Sequence, residues 1–524
     1  MDSVAEQLVE QIKDNNFDDV YHAVKTGRRL LNQLLRDNYW LASMEVDSSF
    51  LPDTLVISIT AGPYFQWKAL QLDEQSRFVL EKTKKDPLNE SSPMTWVEDV
   101  LLYYENYGYP FAALSFDSVN LEGGDMSANV QIDPGPYITI DSITIKGYSS
   151  IKRPMLKYQL GISRGMRYSE KKIRQSEKRI DRVEHLTFAR PPQVLFSEEK
   201  TTLYLYLEEE KNNSFSGIAG LNNLPEGGVT ITGEADIRLL NSINQGEDFR
   251  LQWRRPGVEM QMLDVNLSVP FPLHLPIGLD AKLNLLRQDS SFFSLEAEIG
   301  AQLYINQDWR VRLFYESRSS SVLSQGELPI TGVAGFSSRF LQLGVLWDNT
   351  NHFMAPTKGI KFSANAGNGL RSSSEESVNQ WIAEAINKVY LPIYGQFGFY
   401  AQTHFATIYG GELLSNEVYR LGGINTMRGF NEQSLFASTY FVQNLEFRYA
   451  LDRFSFFQIL GDFGFVENTS QHLSGQNLLY AIGAGMSFQT EVGVLNLIYA
   501  VGKVDDQPFD FPAAKIHIGY INRF

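Results

Sequence analysis

The sequence predicts tandem small α+β domains followed by an all-β, 16-stranded antiparallel transmembrane barrel. Three observations carry that expectation. A phrase recurs in the early part of the 524 residues, apolar and polar residues alternate from about Asn213 to Phe524, and aromatic residues are abundant at 13%.

Before Asn213, helical stretches mix with short strands. Ile59-Thr60-Ala61-Gly62-Pro63-Tyr64 is answered 73 residues later by Ile132-Asp133-Pro134-Gly135-Pro136-Tyr137. Each phrase closes an alternating strand, Leu55 to Ile59 and Ala128 to Ile132. Each follows a helix that ends in a tyrosine-rich turn, Asn38-Tyr39-Trp40 and Asn106-Tyr107-Gly108-Tyr109-Pro110. A single Gly-Pro is an ordinary turn between strands, whereas two in equivalent settings make a repeat of helix, turn and hairpin. A third strand, Thr202 to Leu207, follows basic helical text from Ser169 to Val183 but lacks the Gly-Pro phrase. A period of about 70 residues is longer than that of solenoid repeats and indicates small domains in tandem. The expected divisions are 1–63, 64–136 and 137–212, with the barrel at 213–524.

From Asn213 onward the period is two. Leu295, Ala297, Ile299, Ala301, Leu303 and Ile305 share one face, and Glu296, Glu298, Gln302 and Tyr304 take the other. Val311, Leu313 and Tyr315 oppose Arg310, Arg312, Glu316 and Arg318, while Phe249, Leu251 and Trp253 oppose Asp248, Arg250, Gln252 and Arg254. A soluble sandwich can show the same alternation, so strand length decides. Sixteen candidate strands lie between Ser214 and Phe524, several of ten residues or more, against roughly 5–6 in ordinary strands. An even number of long strands suits a closed barrel whose apolar face meets lipid. Closure also satisfies every backbone group where no water can do so.

Composition narrows the function. Mean hydropathy is -0.22, and no apolar run approaches the roughly 18 residues of a membrane helix. A net charge of -15 argues against a nucleic-acid partner, which would call for clustered Lys and Arg. There are no cysteines, so neither a disulfide scaffold nor thiol chemistry is expected, as suits an oxidising periplasm. Met1 to Glu6 has neither a basic nor an apolar segment, which reads as a mature chain without its export signal. No G-x-S-x-G, H-E-x-x-H or phosphate loop is present, and the seven histidines are scattered. An enzyme, a metal site and a cofactor are therefore not expected.

Between the strand ending near Gly410 and the one starting near Phe436 lies Arg420-Leu421-Gly422-Gly423-Ile424-Asn425-Thr426-Met427-Arg428-Gly429-Phe430. Then come Asn444-Leu445-Glu446-Phe447-Arg448-Tyr449-Ala450-Leu451 and Leu460-Gly461-Asp462-Phe463-Gly464-Phe465-Val466, which place Glu446 and Asp462 in neighbouring strands. An arginine on a folded-in loop needs such partners. With these residues the sequence resembles the BamA/TamA superfamily of outer-membrane assembly barrels, which carry POTRA repeats, a 16-stranded barrel and a (V/I)RG(F/Y) loop. Met427-Arg428-Gly429-Phe430 departs from that motif only in having Met at the branched position. The Trp347-Asp348-Asn349-Thr350 and Pro356-Thr357-Lys358-Gly359 phrases are also similar to text common in these barrels.

The resemblance implies that Arg428 enters the lumen and pairs with Asp462, and with Glu446 beside it. It also implies a lateral seam between first and last strands that opens to template an incoming strand by β-augmentation. The seam residues are Gly217 and Gly220 in Ser214–Leu221, and Gly519, Tyr520 and Phe524 at the end of the chain. Glycine weakens strand pairing, and Gly519 is the candidate hinge, with a bulge as its plainer reading. Expected partners are the outer-membrane bilayer and unfolded client outer-membrane or secreted proteins. Three repeats point to the TamA branch and so to a TamB-like periplasm-spanning protein. Two alternatives stand beside this reading. One is a two-partner-secretion pore with Val4 to Lys13 as a plug helix, and the other is a non-transporting barrel subunit.

Overall fold

The computed structural model describes residues 20–47, 56–72, 93–147, 151–210, 213–223, 229–255, 260–288, 292–323, 332–353, 355–374, 376–470, 474–490 and 493–522. Two expectations fall outside these: the Val4 to Lys13 helix and the terminal Phe524.

Helix α1 (Val20–Arg36) precedes the antiparallel pair β1 (Ser43–Asp47) and β2 (Val56–Thr60). Leu30 and Leu34, one turn apart and so on one face, are buried with Tyr39 against Ala42, Ile59 and Ala61. The next unit is β3 (Gln66–Leu72), α2 (Pro93–Asn106), β4 (Ala113–Glu122) and β5 (Asp125–Asp133). Strand β5 is central, parallel to β3 and antiparallel to β4. Met126, Ala128, Val130 and Ile132 bury its inner face at period two, and Trp96, Val97, Val100 and Tyr104 of α2 cover Val130 and Ile132.

The echoed phrases share a conformation. Gly62 and Gly135 have φ of +71° and +64°, a region costly for other residues. A Cβ on Gly62 would meet the Leu41 carbonyl oxygen at 3.2 Å, and one on Gly135 the Phe111 carbonyl oxygen at 3.3 Å. The turns match too: the Ala42 amide donates to the Tyr39 carbonyl at 3.0 Å as the Ala112 amide does to the Tyr109 carbonyl at 3.2 Å.

A third sheet holds β6 (Ser142–Gly147), β7 (Leu186–Phe196) and β8 (Thr201–Glu209) in the order β6-β8-β7, with helix α3 (Glu170–Ile180) between β6 and β7 in sequence. Leu203, Leu205 and Leu207 of β8 are fully buried. These small α+β units are the tandem domains that the sequence pattern anticipates and the POTRA-like domains that the resemblance implies.

The remaining chain forms one 16-stranded antiparallel sheet. It opens with β9 (Ser214–Asn223), β10 (Val229–Leu240), β11 (Asp248–Arg255), β12 (Met260–Pro270) and β13 (Ile277–Gln288). It continues through β14 (Phe292–Tyr304), β15 (Trp309–Val322), β16 (Phe336–Asp348), β17 (Gly359–Ser373), β18 (Ser377–Tyr394) and β19 (Phe397–Tyr409). A small hairpin outside the sheet, β20 (Tyr419–Leu421) with β21 (Leu435–Ala437), forms the base of the long loop. The sheet resumes with β22 (Thr439–Ala450), β23 (Phe456–Asn468), β24 (Gly475–Thr490), β25 (Gly493–Val504) and β26 (Lys515–Asn522).

Strands β9 and β26 end the sheet order, and their Cα atoms approach within 8 Å, which brings the sheet round on itself. The alternation sorts side chains between the two faces. In β16, Phe340 and Gln342 are buried inward while Leu341 and Leu343 are about 60% exposed on the outside. In β23, Leu460, Asp462 and Val466 are buried and Phe457, Ile459 and Phe463 face out. Such an apolar outer face over a polar interior is the distribution a lipid-embedded barrel requires. No helix among the described residues is long and apolar enough to cross a membrane.

The β16–β17 turn shows how the sequence ends one strand and starts the next. Asp348 Oδ1 accepts from the Thr350 hydroxyl at 2.6 Å, and Asn349 Oδ1 accepts from the Ile360 amide at 2.7 Å.

Candidate functional site

The loop between β19 and β22 lies on the inner wall. Its glycines let it turn there: Gly422, Gly423 and Gly429 have φ of +112°, +90° and +83°. Thr426 closes the turn, its hydroxyl accepting from the Gly422 amide at 2.8 Å, and the Thr426 carbonyl accepts from Asn444 Nδ2 at 2.8 Å.

Arg428 is 3% exposed. Its Nε donates to Asp462 Oδ2 at 2.9 Å, its Nη2 pairs with Oδ1 of the same carboxylate, and its backbone N–H reaches Oδ2 at 3.1 Å. Its remaining arm, Nη1, donates to Glu446 Oε1 at 2.5 Å. The other Glu446 oxygen accepts from Arg448 Nε at 2.8 Å. Two guanidinium groups therefore face two carboxylates, and the buried cluster is neutral. A forked guanidinium held side-on fixes direction as well as charge, so the cluster specifies a loop position more than it adds net stability.

The neighbours of the motif depend on the small size of glycine. Met427 is fully buried among Ala406, Leu421, Ala437, Tyr440, Val442, Val466 and Leu479. Gly464 of β23 lies beside it, where an added Cβ would be 3.1 Å from the Met427 sulfur. A Cβ on Gly429 would lie 2.6 Å from the Gly502 nitrogen, and one on Gly502 would lie 2.6 Å from the Phe430 ring. The tip thus rests on β25. It also reaches β26, where the Gly429 amide donates to His517 Nε2 at 3.4 Å.

The base of the loop has its own buried ion pair. Arg371 of β17 donates to Glu417 Oε2 at 2.9 Å and to the Glu412 carbonyl at 2.7 Å, and Gln380 Nε2 donates to Glu417 Oε1 at 2.6 Å. Both charged side chains are 1% exposed.

The structure brings Met427, Arg428, Gly429, Phe430, Glu446 and Asp462 together on one stretch of wall. Sequence reasoning missed Arg448, His517, Gly502 and the Arg371–Glu417 pair. Arg448 was findable, since it shares the inward parity of Glu446 two residues away. The others come from strands distant in sequence, and their residue types carry no signal alone.

At the seam, Gly217 pairs across from Ala235 and Gly220 from Thr232, and Gly519 from Asn496 and Tyr520 from Leu495. The β25–β26 register runs through Gly519 without a shift, so Gly519 marks no bulge. A Cβ there would have its nearest neighbour at 3.8 Å. No ladder joins β9 to β26 among the described residues. No group of three or more potential metal ligands occurs among them either.

A 16-stranded barrel behind POTRA-like domains, with an arginine loop folded onto its inner wall, defines the class of outer-membrane assembly and transport barrels. The chain belongs to the Omp85 superfamily: the model of the Omp85 superfamily domain matches residues 245–522, more than half its length. It is accordingly an outer-membrane protein with its N-terminal domains in the periplasm. Among solved structures it is similar to CdiB from Acinetobacter baumannii, at 16% identity and a TM-score of 0.52, covering 97% of this chain and 100% of that one. It is also similar to CdiB from Escherichia coli, at 14% identity and a TM-score of 0.52, covering 95% and 97%. BamA from Haemophilus ducreyi lacking POTRA domains 1-3 matches at 14% identity and a TM-score of 0.47, covering 88% and 100%. No curated protein sequence matches the chain.

Proposed function

We propose that the protein is an assembly or translocation factor that inserts outer-membrane clients, or helps secrete them, through a lateral seam between β9 and β26. The carrying observation is that the motif loop is locked by Arg428 to Asp462 and Glu446 while its tip touches β25 and β26. A conformational lock on the inner wall is thereby joined to the strand at the edge of the sheet. An edge strand with unpaired backbone groups can template an incoming strand, and the glycines at 217, 220 and 519 lower what parting this edge costs. The N-terminal region reads as three POTRA repeats divided near residues 63, 136 and 212, which supports a TamA-type role with a TamB-like periplasmic partner.

Reconstitution of the full chain in vesicles with an unfolded barrel client tests this reading. Arg428→Ala protein that is folded and correctly located should lose client insertion, and normal insertion would sink the mechanism. Cysteines at Ala219 and Tyr520 provide a second arm: locking the seam should abolish insertion and reduction should restore it. A secretion pore would instead show large, substrate-dependent conductance in planar bilayers, where a lateral gate gives small, unsteady openings.

A further inference from the structure

We propose that the motif loop staples the lateral seam shut from inside the barrel, and that Glu432 and Arg254 are the positioning residues whose separation releases it. The inference rests on the seam reading above and gives closure a second pair, apart from the Arg428 cluster. Between Gly429 and Gln433 the loop touches both sides of the seam. On one side Gly429 and Phe430 pack against Gly502 of β25, and the Gly429 amide reaches His517 of β26 at 3.4 Å. On the other side Glu432 Oε1 is 3.6 Å from Arg254 Nη1 of β11, and Gln433 Nε2 donates to the Met262 sulfur of β12 at 3.2 Å. Once the sheet comes round, β26, β9 and β10 separate β25 from β11, and among the described residues no ladder joins β9 to β26.

The loop is shaped to make this crossing. Gln433 holds a φ of +52°, a left-handed conformation that residues other than glycine adopt at a cost. The Glu432 carboxylate lies over Gly423, where an added Cβ would collide with it. From β26 to β11 is three strand spacings, about 14 Å. The backbone from Gly429 to Glu432 spans at most about 11 Å, and the Glu432 and Arg254 side chains make up the rest. A client strand admitted between β26 and β9 adds a further spacing of about 5 Å, which the staple cannot follow with both ends attached. One end must let go.

The two ends differ in what release leaves behind. The Arg428 and Asp462 side chains are 4% and 0% exposed, so parting them strands two buried charges. The Glu432 side chain is 40% exposed, and Arg254 Nη2 also donates to Asp264 Oδ2 of β12 at 3.5 Å. Release at this end leaves Glu432 in water and Arg254 beside a carboxylate of its own wall. The Glu432–Arg254 end is therefore the one that opens, and the loop stays with β25 and β26.

The test places the full chain in planar bilayers without client and counts openings. Arg254→Gln and Glu432→Gln should each raise the opening frequency about threefold, the scale of a part-exposed ion pair. Arg254→Gln/Glu432→Gln should match the single variants, because each residue acts through the other. Arg254→Lys, which keeps the charge, should stay near wild type. Arg312→Gln removes a lumen charge that faces Glu298 of β14 and should leave the frequency unchanged. Unchanged openings in the single variants, effects that multiply in the double variant, or an equal rise in Arg312→Gln would overturn the proposal. Should the Arg254 variants fold poorly, Glu432→Gln against wild type gives the same readout from the loop. No client enters this measurement, so failure of the staple and failure of the insertion reading appear in different assays.

Discussion

The backbone N–H of Gly429, in the loop after the eleventh barrel strand, donates to Nε2 of His517, in the last strand, across 3.4 Å. This contact ties the Met427–Phe430 motif to the strand at the seam, and it needs His517 to present an unprotonated Nε2. His517→Ala should therefore raise amide exchange along β26 while leaving β17 and β18 protected. Equal exchange in wild type and variant would show that the loop does not hold the strand.

Breaking the Arg428 cluster should cost more than deleting it. Arg428→Ala leaves Asp462 buried beside Glu446, and loss of one partner of a buried pair costs on the order of 3–5 kcal/mol. Arg428→Met combined with Asp462→Leu should recover much of that stability and none of the proposed insertion activity. Urea unfolding of both variants measures the first half, and client insertion the second.

Glycine substitutions should separate packing from motion. Gly429→Ala places a Cβ 2.6 Å from the Gly502 nitrogen at a φ of +83°, so a loss of about 1–3 kcal/mol is expected from strain. Gly519→Ala meets nothing closer than 3.8 Å and should be neutral or stabilising by up to about 1 kcal/mol. If Gly519 serves as the hinge, that variant should be as stable as wild type or more so, yet slower at insertion. Unchanged insertion would remove Gly519 from the mechanism.

His185, just after α3 and outside the membrane, is 8% exposed. Burial lowers its pKa from 6.5 to about 4, against the opposing pull of Glu209 and Glu247. Between those values the unfolded chain binds a proton that the folded chain does not. Stability is thus full above pH 6.5 and is lost as pH falls toward 4, by about 3 kcal/mol in total. His185→Gln should flatten the fall in thermal midpoint between pH 7 and 5, and an unaltered pH profile would assign that fall to other groups.

Arg428 and its acids could be named from the sequence because each carries a charge in a strand or loop whose neighbours set its parity. Glu446 and Asp462 both fall on the polar phase of alternating strands, which left the lumen as their surroundings. The pairing with Arg428 came from resemblance, not spacing. Met427 was legible only as a departure from the motif, whereas the structure gives it a fully buried pocket beside Gly464. The strand expected to start near Phe436 is the second arm of the β20–β21 hairpin at the base of the loop, near the Arg371–Glu417 pair, and the barrel strand β22 itself starts at Thr439.

Periodicity by itself determined the barrel, because a side chain in a strand has two faces to choose from and lipid accepts one kind of residue. The recurrence of Gly62-Pro63-Tyr64 at Gly135-Pro136-Tyr137 likewise determined the tandem domains, since both glycines serve the same left-handed turn. Only the tertiary structure decided that Gly502 makes room for Phe430, that His517 meets Gly429, and that Arg371 meets Glu417. Those contacts join strands far apart in the chain, and register and closure of the whole sheet set their distances, which local alternation does not encode.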